Sequence, residues 1–147
     1  KILIAPHELS KAHLNQLKTQ FPKALFFSNV QDAKLAEQQI LILDTIGHLS
    51  AAYQYGNVAF IGGGFSGSLH NILEPATYGL PLLFGPKHQK FPEAQQFLDL
   101  GYAKEVTNAE SLKEALDVFF KDKQQLRAQI EAQVFKMQVK IPYKLVN

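Results

Sequence analysis

Residues 60–75 of the chain read FIGGGFSGSLHNILEP, in which an apolar run leads into a glycine-rich turn and then into a helix. Glycine gives backbone N–H groups room to approach a bound group, and it permits positive φ. The N–H groups at a helix start have no partner within the helix, and their partial positive charge suits phosphate. This stretch therefore predicts a nucleotide-binding loop that follows a buried strand.

Two common nucleotide-binding motifs do not fit this loop. Gly62, Gly64 and Gly67 satisfy G-x-G-x-x-G, but that pattern follows the first strand of its fold, and an acidic residue closes the next strand about 20 positions later. Here the loop follows the fourth predicted strand, and the next strand ends in Phe-Gly-Pro at 84–86. An NAD site is therefore not expected. A P-loop is excluded because no Gly-Lys-Ser/Thr follows the glycines.

The composition bounds the class of protein. The 147 residues are one domain's worth of chain, and the net charge of +2 argues against nucleic acid as the main partner. Cysteine is missing from the sequence, which excludes disulfides, zinc–cysteine sites and thiol catalysis. Because the chain opens inside a strand-like run at residues 1–5 and shows no signal-peptide pattern, we expect it to be a fragment of a longer protein.

Short apolar runs alternate with helical stretches along the chain. The pattern predicts strands at 2–5, 25–27, 40–43, 58–61, 82–84 and 102–106. It predicts helices at 10–20, 47–55, 72–78, 91–100, 109–120 and 123–136. Continuous apolar strands between helices indicate an α/β fold, a Rossmann-like parallel sheet of about six strands with helices on both faces.

In an open parallel sheet, ligands bind beyond the carboxyl ends of the strands. Four turns with unusual residues fall at those ends, at 6–8, 44–47, 62–71 and 85–90. Their agreement predicts one binding site at that edge of the sheet.

Asn71 and Glu74 lie three residues apart and allow two interpretations. In a capping box, Asn71 accepts a hydrogen bond from a first-turn N–H, and the Glu74 carboxylate accepts one from the Asn71 amide. In a nucleotide site, Glu74 accepts hydrogen bonds from a ribose diol while the loop amides bind phosphate. A Glu at a helix start, with Gly-Leu-Pro at 79–81 before a buried strand, resembles the arrangement found in nucleotide-sugar glycosyltransferases of the two-domain GT-B type. It favours the second interpretation.

Other polar residues have simpler interpretations. Asp44 is expected to cap the helix that follows it, and His7 is either a ligand contact or an exposed turn residue without a role. Lys87 and Lys90 could face a phosphate or a sugar acid, although a solvated loop is the default. The histidines at 13, 48, 70 and 88 show no metal-ligand spacing, so we predict no metal site.

Several motifs together resemble the C-terminal half of 3-deoxy-D-manno-octulosonic acid (Kdo) transferase. Most of them lie between residues 42 and 86, residues 6–8 and 89–94 fit some members of the family as well, and the resemblance spans most of the chain. The most specific motifs are Asp-Thr-Ile-Gly at 44–47 and His-Asn-Ile-Leu-Glu at 70–74. The resemblance is weakest after residue 106. It implies that residues 1–147 form a single C-terminal domain that binds the nucleotide-sugar donor, with the N-terminal acceptor domain outside this chain.

The resemblance also implies an activity for the full-length enzyme. It would transfer Kdo from CMP-Kdo to a lipid A precursor in lipopolysaccharide biosynthesis, at the cytoplasmic face of the bacterial inner membrane, with peripheral or anchored membrane association. The acceptor site and the general base would lie in the N-terminal half. The fragment is therefore expected to be soluble, to hold no catalytic residue and to be inactive alone. No cofactor is implied beyond the donor substrate, CMP-Kdo.

Ten residues are expected to bind the donor. Phosphate would be held by Gly63, Gly64, Phe65 and Ser66 with the helix that starts near Asn71, ribose by Glu74, and cytosine by the turns Pro6–His7 and Ile46–Gly47. No family role carries over to His48, where many members have Glu, or to Ser68, near which many have Lys. Two alternative functions stay open: another GT-B transferase or an epimerase that uses a UDP-sugar, or a non-catalytic nucleotide-binding module.

Overall fold

The computed structural model describes residues 1–31 and 35–140, the last three of these by their backbone alone. It divides into two compact units, Lys1–Ala52 and Tyr53–Asn147. Each unit is built around its own parallel sheet of three short strands.

The first unit contains β1 (Ile2–Ile4), α1 (Lys11–Gln20), β2 (Leu25–Phe26), β3 (Ile40–Ile42) and α2 (Leu49–Ala52). The strand order is β1-β3-β2, and both pairings are parallel. Helix α1 begins where the Ser10 hydroxyl accepts a hydrogen bond from the His13 N–H at 3.3 Å. One face of α1 covers the sheet, because Leu17 packs on Phe26 and Ile42 in a small buried core.

The second unit contains β4 (Ala59–Ile61), α3 (Leu73–Thr77), β5 (Leu82–Phe84), α4 (Pro92–Asp99), β6 (Ala103–Glu105), α5 (Ala109–Lys121) and α6 (Lys123–Lys140). Its strand order is β4-β5-β6, again all parallel. The central strand has helices on both faces. Leu82 and Phe84 belong to one buried cluster, whereas Leu83 packs in a second cluster with Phe119 of α5.

Helix α6 holds the end of α3 in place. The Arg127 guanidinium donates hydrogen bonds to the Tyr78 carbonyl at 3.0 Å and to the Gly56 carbonyl at 3.3 Å. Gly79 ends α3 with φ of +73°, and a Cβ there would lie 2.5 Å from the Arg127 side chain. The C-terminal end of α3, which carries partial negative charge, therefore meets a cation at close range.

The predicted α/β class with parallel strands is confirmed, and every predicted strand overlaps an observed one. The prediction of one sheet of about six strands is wrong, because the strands pair in two sheets of three. Apolar runs identify buried segments, but they do not specify which strand pairs with which. The helix predicted at 47–55 is also shorter: α2 is followed by a 3₁₀ turn at Tyr53–Tyr55. The expectation of a single domain stays a prediction.

Candidate functional site

The glycine-rich turn follows β4 at the carboxyl end of the second sheet. Its hydrogen bonds converge on one carbonyl: the Gly63 oxygen accepts from the Ser66 N–H at 3.2 Å and from the Ser68 N–H at 3.0 Å. Gly63 has φ of +85°, and a Cβ there would collide with the Ser68 carbonyl. Only glycine satisfies both conditions, so this residue is required by the turn itself.

Gly64 is required by the neighbouring loop. It is buried, and a Cβ on Gly64 would lie 2.5 Å from the backbone nitrogen of Gly85, which follows β5. The Gly64 carbonyl accepts a hydrogen bond from the Lys87 N–H at 2.7 Å. The loops after β4 and β5 therefore pack backbone against backbone, a reason for glycine that the sequence did not suggest.

Several backbone donors of the turn are uncommitted. Among the residues that the structure describes, none accepts a hydrogen bond from the N–H groups of Gly64, Phe65 or Gly67. Phe65 is half exposed. Successive unpaired N–H groups at the end of a strand are suited to an anion such as phosphate.

The sequence predicts that Ser66 contacts phosphate, but both of its donors bond within the turn. Its N–H donates to the Gly63 carbonyl, and its hydroxyl donates to the same oxygen at 3.1 Å. Both donors of Ser66 thus hold the turn closed. A phosphate contact from the hydroxyl would need that bond to break, and the role of Ser66 stays a prediction.

Of the two interpretations of Asn71 and Glu74, the capping box is formed only in half. The Asn71 side chain accepts a hydrogen bond from the Leu73 N–H at 3.0 Å. The return bond is missing: within the described ranges, no group donates a hydrogen bond to the Glu74 carboxylate, which is only partly exposed. Glu74 therefore has acceptor capacity that the helix start does not use.

Glu74 stands in the first turn of α3 near a phenol of the same unit. Burial, and then the Glu74 charge, raise the pKa of Tyr53 above its ordinary value of 10.0.

Helix α3 has five residues and begins two positions after Asn71, so its dipole is smaller than that of the longer helix predicted at 72–78. The unpaired N–H groups of the turn therefore suit an anion better than the start of this short helix does.

The first unit places its four predicted residues at one edge. Pro6 and His7 follow β1, and Ile46 and Gly47 follow β3, the strand that pairs with β1 in parallel. Both turns therefore lie beyond the carboxyl end of the same sheet. Ile46 is 87% exposed, which suits a residue that covers the face of a base. The assembly of all ten residues into one donor site stays a prediction.

The prediction that Asp44 caps a helix is wrong. One Asp44 carboxylate oxygen accepts from the Ser28 N–H at 2.8 Å, and the other accepts from the Ser28 hydroxyl at 2.5 Å. Asp44 thus joins the end of β3 to the turn after β2. The helix that follows is preceded instead by a contact between the Thr45 hydroxyl and His48 Nδ1 at 2.9 Å.

His88 is a buried polar residue, and nothing in its local sequence indicates that burial. It is 4% exposed, and its Nε2 lies 3.0 Å from Glu105 Oε2 at the end of β6. Its Nδ1 is buried and has no partner among the residues described. The described part of the chain contains no group of three His, Cys, Asp or Glu side chains placed to hold a metal ion. The expectation of a metal-free site stays a prediction.

Comparison with known proteins gives consistent results. No protein-family profile matches the chain. The chain is 28% identical over 141 residues to 3-deoxy-D-manno-octulosonic acid transferase from Aquifex aeolicus and 33% identical over 113 residues to the enzyme of that name from Rickettsia typhi. The aligned parts cover 92% and 76% of this chain but 38% and 24% of those relatives. The resemblance to Kdo transferases is confirmed.

A solved structure supports the fold. The C-terminal CMP-Kdo binding domain of WaaA from Acinetobacter baumannii matches with a TM-score of 0.72 at 23% identity, over 90% of this chain and 72% of that one. The chain therefore has the fold of a Kdo transferase C-terminal domain. It spans well under half the length of the Kdo transferases that it resembles in sequence. Along the described residues, no helix combines the length and apolar character needed to cross a membrane.

Proposed function

We propose that this chain is the donor-binding domain of a Kdo transferase. In the full-length enzyme it would bind CMP-Kdo, from which Kdo passes to a lipid A precursor in lipopolysaccharide biosynthesis. The sequence similarity to Kdo transferases and the shared fold with a CMP-Kdo binding domain support this function. Because one fold hosts many activities, the fold alone does not establish the function, and the residues of the site must support it.

The proposal depends on the Glu74 carboxylate, which has no hydrogen-bond donor among the described residues. This carboxylate is open to solvent in part, so both of its oxygens can accept hydrogen bonds from a ligand. A ribose diol offers two hydroxyl donors to one carboxylate. We assign ribose to Glu74 and the phosphate to the backbone of Gly63, Gly64 and Phe65, with Ser66 and Asn71 at its margin. The turns Pro6–His7 and Ile46–Gly47 would flank cytosine.

The chemistry required of this domain is stabilisation of a leaving group. When the bond between Kdo and CMP breaks, negative charge grows on the CMP phosphate, and fixed N–H donors aimed at it lower the barrier. This mechanism needs no divalent metal or other cofactor. The acceptor hydroxyl would be deprotonated by a carboxylate in the N-terminal half. The chain alone should therefore bind CMP weakly and transfer nothing.

Nucleotide titration tests the proposal directly. The chain would be titrated with CMP, UMP and ADP while backbone amide shifts are followed by NMR. CMP should bind most tightly and shift residues 62–74. A preference for UMP would favour the UDP-sugar transferase or epimerase, and the absence of shifts in residues 62–74 would remove the donor site from this turn.

Glu74→Ala in the full-length protein separates an enzyme from a non-catalytic module. Activity should fall while folding is retained. Glu93→Ala is the matched control, because Glu93 is also a partly exposed carboxylate in the first turn of a helix, α4. Unchanged transfer by Glu74→Ala would remove the ribose role from this residue and leave it as an acidic residue that favours the start of α3. Membrane association of the full-length enzyme at the inner face of the inner membrane is tested by fractionation with and without its N-terminal half.

A further inference from the structure

The loop after β5 is held against the glycine-rich turn by its backbone. The Lys87 N–H donates to the Gly64 carbonyl at 2.7 Å. Two residues earlier, Gly85 packs against Gly64 with no room for a side chain on either residue. Lys87 is thus fixed beside the turn whose unpaired N–H groups are the expected anion contacts.

The residue that follows Lys87 holds the loop from the other side. His88 is buried, its Nε2 pairs with Glu105 at the end of β6, and its ring lies 5.3 Å from that of Phe84 in an edge contact. A side chain on a backbone fixed in this way loses less freedom on binding than one on a mobile loop.

The Lys87 ammonium is itself uncommitted. Its side chain is exposed, and no carboxylate of the described residues lies within 4.0 Å of its Nζ. The turn, in contrast, offers an anion only neutral donors, and those of Ser66 are already used. A cation beside these N–H groups would make the hydrogen bonding to an anion charge-assisted, and hence stronger.

We propose that Lys87 is a further donor-binding residue, whose ammonium binds an anionic group of the nucleotide sugar. That group is either the phosphate or the carboxylate of the sugar acid, which present the same chemistry to a lysine. The proposal rests on the proposed function, because it requires the donor to lie on the glycine-rich turn. It involves neither the base nor the ribose.

The test measures binding of cytidine, CMP and a CMP-linked sugar acid by calorimetry to the wild-type chain, Lys87→Gln and Lys90→Gln. Lys90 is the matched control, since it is exposed in the same loop but its N–H makes no bond to the turn. Lys87→Gln should weaken an anionic ligand about five- to tenfold, as expected for one lost charge-assisted contact, and leave cytidine unchanged. Lys90→Gln should change each affinity by less than about twofold.

Comparing the three ligands distinguishes the phosphate from the sugar carboxylate, and it distinguishes a failure of Lys87 from a failure of the donor site. Weaker binding of CMP assigns the phosphate to Lys87, and weaker binding of the CMP-linked sugar acid alone assigns the carboxylate. Unchanged affinity for both, or equal losses from the two lysines, overturns the assignment of Lys87. A wild-type chain that binds none of the three overturns the proposed function and this inference with it. Matching thermal unfolding of the variants excludes misfolding.

Discussion

Replacing Gly64 by alanine separates two explanations of the glycine-rich turn. If glycine serves to admit a ligand, the substitution should affect binding alone. The structure gives a different reason, because a Cβ at residue 64 would lie 2.5 Å from Gly85 N and 3.0 Å from Gly85 Cα. Ordinary contact begins at 3.4 Å, and both obstructing atoms belong to the backbone, which cannot rotate away. The two loops would have to separate by roughly 0.9 Å.

This separation should be costly. Overpacking of a tight contact costs about 1–3 kcal/mol, and weakening the 2.7 Å bond from Lys87 N–H to Gly64 O adds up to about 1 kcal/mol. We expect Gly64→Ala to lower the free energy of unfolding by about 2–3 kcal/mol, measured by urea denaturation. Gly67→Asn is the control: φ is +83°, nothing lies within 4 Å of its Cβ, and asparagine tolerates that conformation. It should change stability by less than about 0.5 kcal/mol.

The outcome that refutes the packing argument is specific. Gly64→Ala would unfold at the same urea concentration as the wild type and yet lose affinity for CMP. In that case the glycine leaves room for a ligand, and the contact with Gly85 relaxes at no cost. Equal destabilisation by Gly64→Ala and Gly67→Asn would show that any side chain in the turn is harmful, whatever its neighbours.

Substitutions at three further sites, each with a matched comparison, test other parts of the structure. His88→Ala should lower the free energy of unfolding, measured by urea denaturation, by about 2–3 kcal/mol, because it opens a cavity and removes the partner of Glu105. Glu105→Gln keeps an acceptor for His88, so it should lower the free energy of unfolding by less than half as much. Arg127→Ala should lower the free energy of unfolding by about 1–2 kcal/mol, because two hydrogen bonds to carbonyl groups are lost. Arg127→Lys should not recover this stability, since an ammonium lacks the forked donors of a guanidinium. Burial and a nearby carboxylate raise the pKa of Tyr53, so its contribution to stability is present below pH 10.0 and is lost as the pH rises through the raised pKa. In Tyr53→Phe, the melting temperature should therefore fall less steeply as the pH is raised above 10.0. Tyr55 is 82% exposed, so Tyr55→Phe should leave the pH dependence of the melting temperature unchanged.

The sequence predicts local structure well where one short segment contains its own signals. Helix α3 shows this, because a proline is tolerated only in its first turn and Gly79 can end it with positive φ. Strand β5 is apolar at every position, and it is buried at every position. These signals act within a few residues, so they survive without knowledge of the fold.

Errors arise where a residue's partner is distant in the chain. Asp44 has the chemistry of a helix cap, but Ser28, sixteen residues earlier, offers both an N–H and a hydroxyl, and Asp44 bonds to these instead. The pairing of Lys87 with Gly64 could have been anticipated only from the adjacency of β4 and β5. Strand pairing depends on such long-range contacts, which is why six correct strands did not lead to the correct sheets.

The candidate site is best defined by the polar groups that make no hydrogen bond within the described part of the protein. Many polar groups around the glycine-rich turn serve the protein itself: Ser66 closes the turn, Asn71 bonds to the first N–H of α3, and the Gly64 carbonyl holds the next loop. The remainder consists of N–H donors in the turn and the Glu74 carboxylate in the helix after it. N–H donors that suit phosphate, followed in the chain by an acceptor that suits a diol, are complementary to a nucleoside monophosphate. In a module that only preserved the fold, Glu74 would still favour the start of α3 through its negative charge, so the loss of transfer in Glu74→Ala is the result that separates an enzyme from such a module.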